Sequence, residues 1–135
     1  MSEDKEKSLF TVKKSSEFWY PVEFGWVNDD GEITTEVIEV RFKRVGLDEW
    51  QEYMLKFSKE VAEKGESEVA RRHVDRSLMR EVMVDVRADA EGAKSKKQTI
   101  EIILNQNPIL DGLVRAYTFA VLQGGQTREA LKKQV

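Results

Sequence analysis

No cysteine occurs in the 135 residues. That absence excludes a disulfide framework, a thiolate metal centre and a cysteine nucleophile. A single histidine, His73, removes most zinc chemistry as well, because zinc usually takes several His or Cys ligands. Apolar runs are short, and none approaches the ~20 residues that cross a bilayer. The opening Met1-Ser2-Glu3-Asp4-Lys5-Glu6-Lys7 has nothing of a signal peptide. The expectation is a soluble cytoplasmic protein with no membrane segment, no metal and no cofactor. Hydrophobic residues still make up 40% of the chain, enough for a core, and the length suits one domain.

Net charge is −3, but its distribution is uneven. Glu17, Glu23, Asp29, Asp30, Glu32, Glu36 and Glu39 follow one another with no Lys or Arg between the first and the last. Arg41, Lys43 and Arg44 then reverse the sign. Such an acidic lobe repels phosphate backbones and favours a basic protein partner; its plainer role is a solvated hairpin that aids solubility.

Hydrophobic periodicity divides the chain. Residues 1–7 are polar with mixed charge and are expected to form a mobile arm. Residues 9–13 alternate weakly, as a short extended piece would. Phe18, Tyr20, Val22, Phe24 and Trp26 recur with period 2, which places all five on one face of a strand. Asn28-Asp29-Asp30-Gly31 is turn chemistry, and the return strand runs from Glu32 to Phe42. On that return the apolar phase switches between Val37 and Ile38, which predicts a β-bulge. Pro21 has no ladder donor, so it predicts an edge strand.

Four helices are expected next. The first begins near Asp48, read as its cap with Gln51 three residues on, and carries Trp50, Met54, Phe57 and Val61 as an apolar stripe. The second covers about residues 67–83, with Ala70, Val74, Leu78 and Val82 inward; residues 82–86 also read as a short strand. Residues 87–97 are small and polar, as a loop is. A short third helix spans roughly residues 98–105, although its isoleucine pairs equally suit a strand. Asn107-Pro108 reads as an N-cap followed by proline, and the fourth helix reaches about Leu122 before Gly124-Gly125. Only Asp111, Arg115 and Thr118 interrupt the apolar girth of this last helix. Such a helix is either the centre of the domain or an interface with another chain. The predicted architecture is α+β: an N-terminal antiparallel β-hairpin packed against three to four helices, one domain over residues 8–125, and a polar tail over residues 126–135. A third strand is open between residues 9–13 and 82–86.

A search for catalytic chemistry finds no supported nucleophile and base. His73 sits within the second helix pattern and reads as a core-edge residue. Asp29, Asp30 and Glu32 do not complete the twelve-residue calcium loop, and no glycine-rich phosphate loop is present. Arg71, Arg72, Arg76 and Arg80 are interleaved with Glu68, Asp75 and Glu81 and lack stacking aromatics. They therefore read as a solvated helix face, not as a nucleic-acid surface. Aromatics are more informative. Trp19 lies on the strand face opposite Phe18 and its companions, so beside Pro21 it is a candidate exposed anchor unless helices cover both faces of the sheet.

The order of elements then carries a likeness. Tyr20-Pro21-Val22-Glu23-Phe24, the Asn28-Asp29-Asp30-Gly31-Glu32 turn, the return into Phe42-Lys43-Arg44, and Gly46-Leu47-Asp48-Glu49-Trp50 opening a helix resemble the tail assembly chaperones of long-tailed bacteriophages. Asn107-Pro108 before an apolar helix holding Ala116-Tyr117 and Ala120 is similar to the end of those proteins. The likeness covers about residues 17–122 as a pattern of elements with short matches. It implies a small non-enzymatic protein of the host cytoplasm, oligomeric, which coats the tape measure protein and recruits tail tube subunits. It also implies a protein not retained in the mature virion. Under that resemblance Trp19, Glu23, Asp29 and Asp30 of the acidic hairpin are the expected partner-binding residues. Ile109, Ala116 and Phe119 are the expected self-association residues. The alternatives are a structural tail component or a generic acidic protein-binding module.

Overall fold

The computed structural model describes residues 9–12, 16–64 and 67–122. In chain order these form β1 (Ser16–Val27), β2 (Ile33–Arg44), α1 (Leu47–Lys64), α2 (Glu68–Val82), β3 (Met83–Arg87), α3 (Lys96–Leu104) and α4 (Asn107–Tyr117), the last continued by a π-helical turn (Thr118–Leu122). The fold is α+β, with an antiparallel sheet in the order β1-β2-β3. The third strand is the one expected at the end of α2. Residues 9–12 are exposed and outside the sheet. The expected arm at residues 1–7, Gly124-Gly125 and the tail at residues 126–135 lie outside the described residues.

The hairpin is set by its turn. Asn28 Oδ1 accepts the backbone N–H groups of Asp30 and Glu32, both at 3.0 Å. Gly31 takes φ +80°, where a side chain would be strained. The Asn28 N–H donates to the Glu32 carbonyl at 2.9 Å, and pairing then runs unbroken from Val27↔Ile33 to Ser16↔Arg44. Antiparallel pairs alternate between bonded and non-bonded, so this start makes the even-numbered residues of both strands exchange the ladder bonds. Odd-numbered residues point their backbone groups outward. Pro21 is one of them, and β1 is an edge strand as its proline requires.

The bulge expected between Val37 and Ile38 is absent. Ile33, Thr35 and Val37 are simply the face of the strand turned away from the helices, and the apolar phase switch marks where core cover begins. The irregularity lies in β3: Arg41 pairs with Asp85 and Phe42 with Met83, leaving Val84 as an extra residue.

α4 packs on β1, α2 on β2 and α3 on β3, over the face that carries Val22, Phe24, Val40 and Phe42. α1 packs on α2 and joins this core through Trp50 and Phe57. α4 settles the choice offered by its composition. Leu110, Leu113 and Tyr117 are completely buried, so it is a central helix of this domain. It crosses β1 at Gly112, where an added Cβ would stand 2.6 Å from the Glu23 carbonyl oxygen and 3.2 Å from Phe24 Cβ. At its C-terminal end Tyr117 stacks on Trp50 and meets Phe42 edge-on, each with 5.2 Å between ring centroids. The Tyr117 hydroxyl donates to the Lys43 carbonyl at 2.8 Å. One residue thereby ties α4 to β2 and α1.

Two helix starts differ from expectation. α1 is entered from Gly46, whose carbonyl accepts the Trp50 N–H, so Asp48 lies inside the first turn, where its charge suits the helix dipole. The N-cap position of α4 is Gln106, whose side chain makes no capping hydrogen bond, with Asn107 already helical and Pro108 in the first turn. The starts of α2 and α3 are conventional: Ser67 and Ser95 accept the N–H of Ala70 and Gln98. Polar contacts staple the helices together: the ion pairs Arg80–Glu101, at 2.6 Å, and Arg72–Asp111, and a hydrogen-bond contact of His73 Nε2 with Glu60 at 3.3 Å. Arg72 and Arg80 therefore also bridge helices, while Arg71 and Arg80 stay exposed as the solvated helix face predicts.

Gly112→Ala is expected to destabilise the protein by about 1–3 kcal/mol, because strand backbone cannot yield as a side chain does. Gly25→Ala, with nothing within 4 Å of the new methyl, is the matched control in urea unfolding. Tyr117 generates a second test. Burial pushes its phenol from 10.0 up to about 12. The folded state then holds this proton more tightly than the unfolded chain. The resulting stability is complete below pH 10 and is lost as pH rises through about 12. The loss amounts to about 2–3 kcal/mol. Tyr117→Phe should flatten most of that alkaline slope, the partly exposed Tyr53 supplying the remainder, and should cost about 1–3 kcal/mol at neutral pH through the orphaned Lys43 carbonyl.

Candidate protein-docking surface

The sheet face opposite the helices is the most distinctive surface. Odd-numbered residues supply it: Trp19, Pro21, Glu23 and Val27 from β1, and Ile33, Val37, Glu39 and Arg41 from β2. Asp85 and Arg87 of β3 lie across from Arg41 and Glu39. Ile33 is 81% exposed, Val27 61% and Val37 51%. Among the described residues no helix packs over them.

The proximal half of this face is neutralised. Arg41 Nε lies 3.0 Å from Glu17, without hydrogen-bond geometry, and the Arg87 guanidinium sits 4.0 Å from the Trp19 ring centroid. Trp19 is consequently half-buried beneath a cation, not the bare anchor that alternation predicts. The distal half keeps its acids. Glu23 is exposed beside Val37, and Asp29 and Asp30 are exposed on the turn. Among the described residues, no ion pair uses Glu23, Asp29, Asp30, Glu32 or Glu36. The four expected partner-binding residues do not form one cluster. Trp19 and Glu23 share a face, whereas the turn begins only beyond Val27, ~13 Å past Glu23 at ~3.3 Å per residue, and ~26 Å past Trp19.

The expected self-association residues separate as well. Ile109 belongs to the buried core, which corrects its assignment as a surface contact. The physical reason is the seat of α4 against β1, which encloses that side of the helix. Ala116 and Phe119 are half-buried and remain partly accessible.

Sequence patterning misses a groove of about 830 Å³ between α1 and α2, lined by Met54, Val61 and Val74 and edged by Arg71, Arg72 and Asp75. Asp75 is half-buried there, and desolvation raises its carboxyl above the ordinary 3.8, with Arg72 opposing and Asp111 adding to the rise. The signal was a carboxylate next to Val74 in an apolar stripe, but the groove itself depends on the angle between two helices. Among the described residues, no cluster of three or more His, Asp or Glu side chains has the geometry to hold a metal ion, and no helix is long and apolar enough to cross a membrane. His73 bridges α2 to α1 through Glu60.

The chain matches no protein-family model, no curated protein and no solved structure.

Because the folded Asp75 binds its proton more tightly than the unfolded chain, this group favours folding increasingly as pH falls through its raised pKa. Asp75→Asn should raise the thermal midpoint near pH 7, and the gain over wild type should shrink between pH 7 and pH 4. Arg72→Ala should push the Asp75 carboxyl still higher, as read by carboxyl-carbon NMR titration.

Proposed function

We propose that this protein is a non-enzymatic tail assembly chaperone of a long-tailed phage or prophage, which binds the tape measure protein and recruits tail tube subunits in the host cytoplasm. The observation that carries the reading is the open sheet face, whose exposed β-branched residues Val27, Ile33 and Val37 run toward a turn of unneutralised acids. An apolar strip with a charged rim suits reversible docking of another protein. A long helical protein with exposed apolar stripes aggregates unless something covers it, and a small acidic coat meets that need. Coating by many copies works through effective concentration, so individually weak contacts suffice. Ala116 and Phe119 are the accessible candidates for contact between copies, and the protein leaves the assembly before the virion matures.

The alternative role, a subunit that stays in the particle, differs in one measurable respect. Mass spectrometry of purified virions should not detect this chain, whereas a structural subunit would be present in many copies. The direct test is coexpression with the tape measure protein of the same phage. The expected outcome is that the tape measure protein stays soluble and copurifies. Combined Glu23→Lys, Asp29→Lys and Asp30→Lys substitutions should abolish copurification while leaving the circular dichroism spectrum unchanged. Equal loss of the tape measure protein to the pellet, with or without this chain, would overturn the reading.

A further inference from the structure

The distal hairpin leaves backbone groups free along the β2 edge, in line with β3. β3 pairs with β2 only from Glu39 to Phe42, so residues 33–37 of β2 have no neighbour on that side among the described residues. By the bonding alternation of the hairpin, the N–H and C=O groups of Ile33, Thr35 and Val37 point out of this edge. On the opposite edge, β1 turns Pro21 outward, and its nitrogen has no hydrogen to donate. Pro21 interrupts that edge opposite Glu39, whereas the free stretch of β2 continues directly from the edge that β3 already pairs.

Charge selects the occupant. Asp29, Asp30, Glu32 and Glu36 are exposed around the open edge, and no Lys or Arg lies between Glu17 and Glu39. A second copy of the same strand would crowd these acids against their own counterparts, which is unfavourable. An extended segment carrying Lys or Arg at alternate positions would set them against Glu32 and Glu36. Its intervening side chains would lie beside Ile33 and Val37 on the open face. We propose that residues 33–37 of β2 accept an extended basic segment of a partner protein as an added strand in line with β3. The inference rests on the partner-docking reading above and specifies its mode.

The probe is an amidated eight-residue peptide of alternating Lys and Val, added to the full-length protein. Binding should slow hydrogen exchange at the amides of Ile33, Thr35 and Val37, and a Glu-Val peptide should leave them unchanged. Thr35→Pro removes one outward donor, as Pro21 does on the other edge, and should weaken binding about tenfold or more while the thermal midpoint is kept. A Lys-Val peptide N-methylated along one edge should bind wild-type protein equally poorly. This arm decides the matter if Thr35→Pro fails to fold. Undiminished binding of the N-methylated peptide, with loss of binding in Glu32→Lys/Glu36→Lys, would overturn strand addition and leave acidic docking standing. Binding unaffected by any of these changes would overturn both. Protection at the same amides that rises with protein concentration in the absence of peptide would overturn the proposed occupant in favour of a second copy.

Discussion

The close approach of α4 to β1 at Gly112 is the constraint on which the rest of the domain depends. Only a residue without Cβ lets the helix backbone come so near the Glu23 carbonyl. At that depth Leu110 and Leu113 are fully buried and Tyr117 reaches Trp50 and Phe42. A helix held further out would open space beneath it, and interiors close-packed to crystal density leave nothing to fill such a gap. The same contact seats α4 on the inner side of the sheet. The uncovered side of the hairpin is the complement of a well-seated α4.

Much of the architecture was legible from the chain alone. Strict alternation from Phe18 to Trp26, turn residues at Asn28 to Gly31 and the stripe Ala70, Val74, Leu78, Val82 each specify one element with little competition. Their agreement with the fold reflects local preference and burial pointing the same way. Two of the readings that failed assigned a local cause to a tertiary effect. The phase switch at Val37 resembles a bulge only until the extent of helix cover is known. Asn107 resembles a cap until the chain entering from α3 makes it the first residue of the helix.

The site was less legible, and for a physical reason. Alternation tells which residues share a face but not what lies across from them. That Arg87 would stack on Trp19 depends on β3 joining the sheet beside β2, a pairing of residues far apart in sequence. Ile109 was expected at a self-association contact under the resemblance, and in a helix apolar around nearly its whole girth composition cannot tell which side meets β1. The acids at Asp29 and Asp30 were placed correctly as a turn, since turn chemistry is local, yet their distance from Trp19 becomes clear only once the strands are known to extend unbroken for twelve residues each.

The Gly112–Glu23 contact joins residues about ninety positions apart, which raises the separation that folding must close before the core is complete. During synthesis the hairpin and the α1–α2 pair leave the ribosome well before α4 does, with the sheet's inner face still bare. The nascent chain therefore passes through a stage in which Val22, Phe24, Val40 and Phe42 are open to water and to neighbouring polypeptides. For a protein built of short local elements, the delay between the emergence of the hairpin and that of α4 sets how long that vulnerable interval lasts.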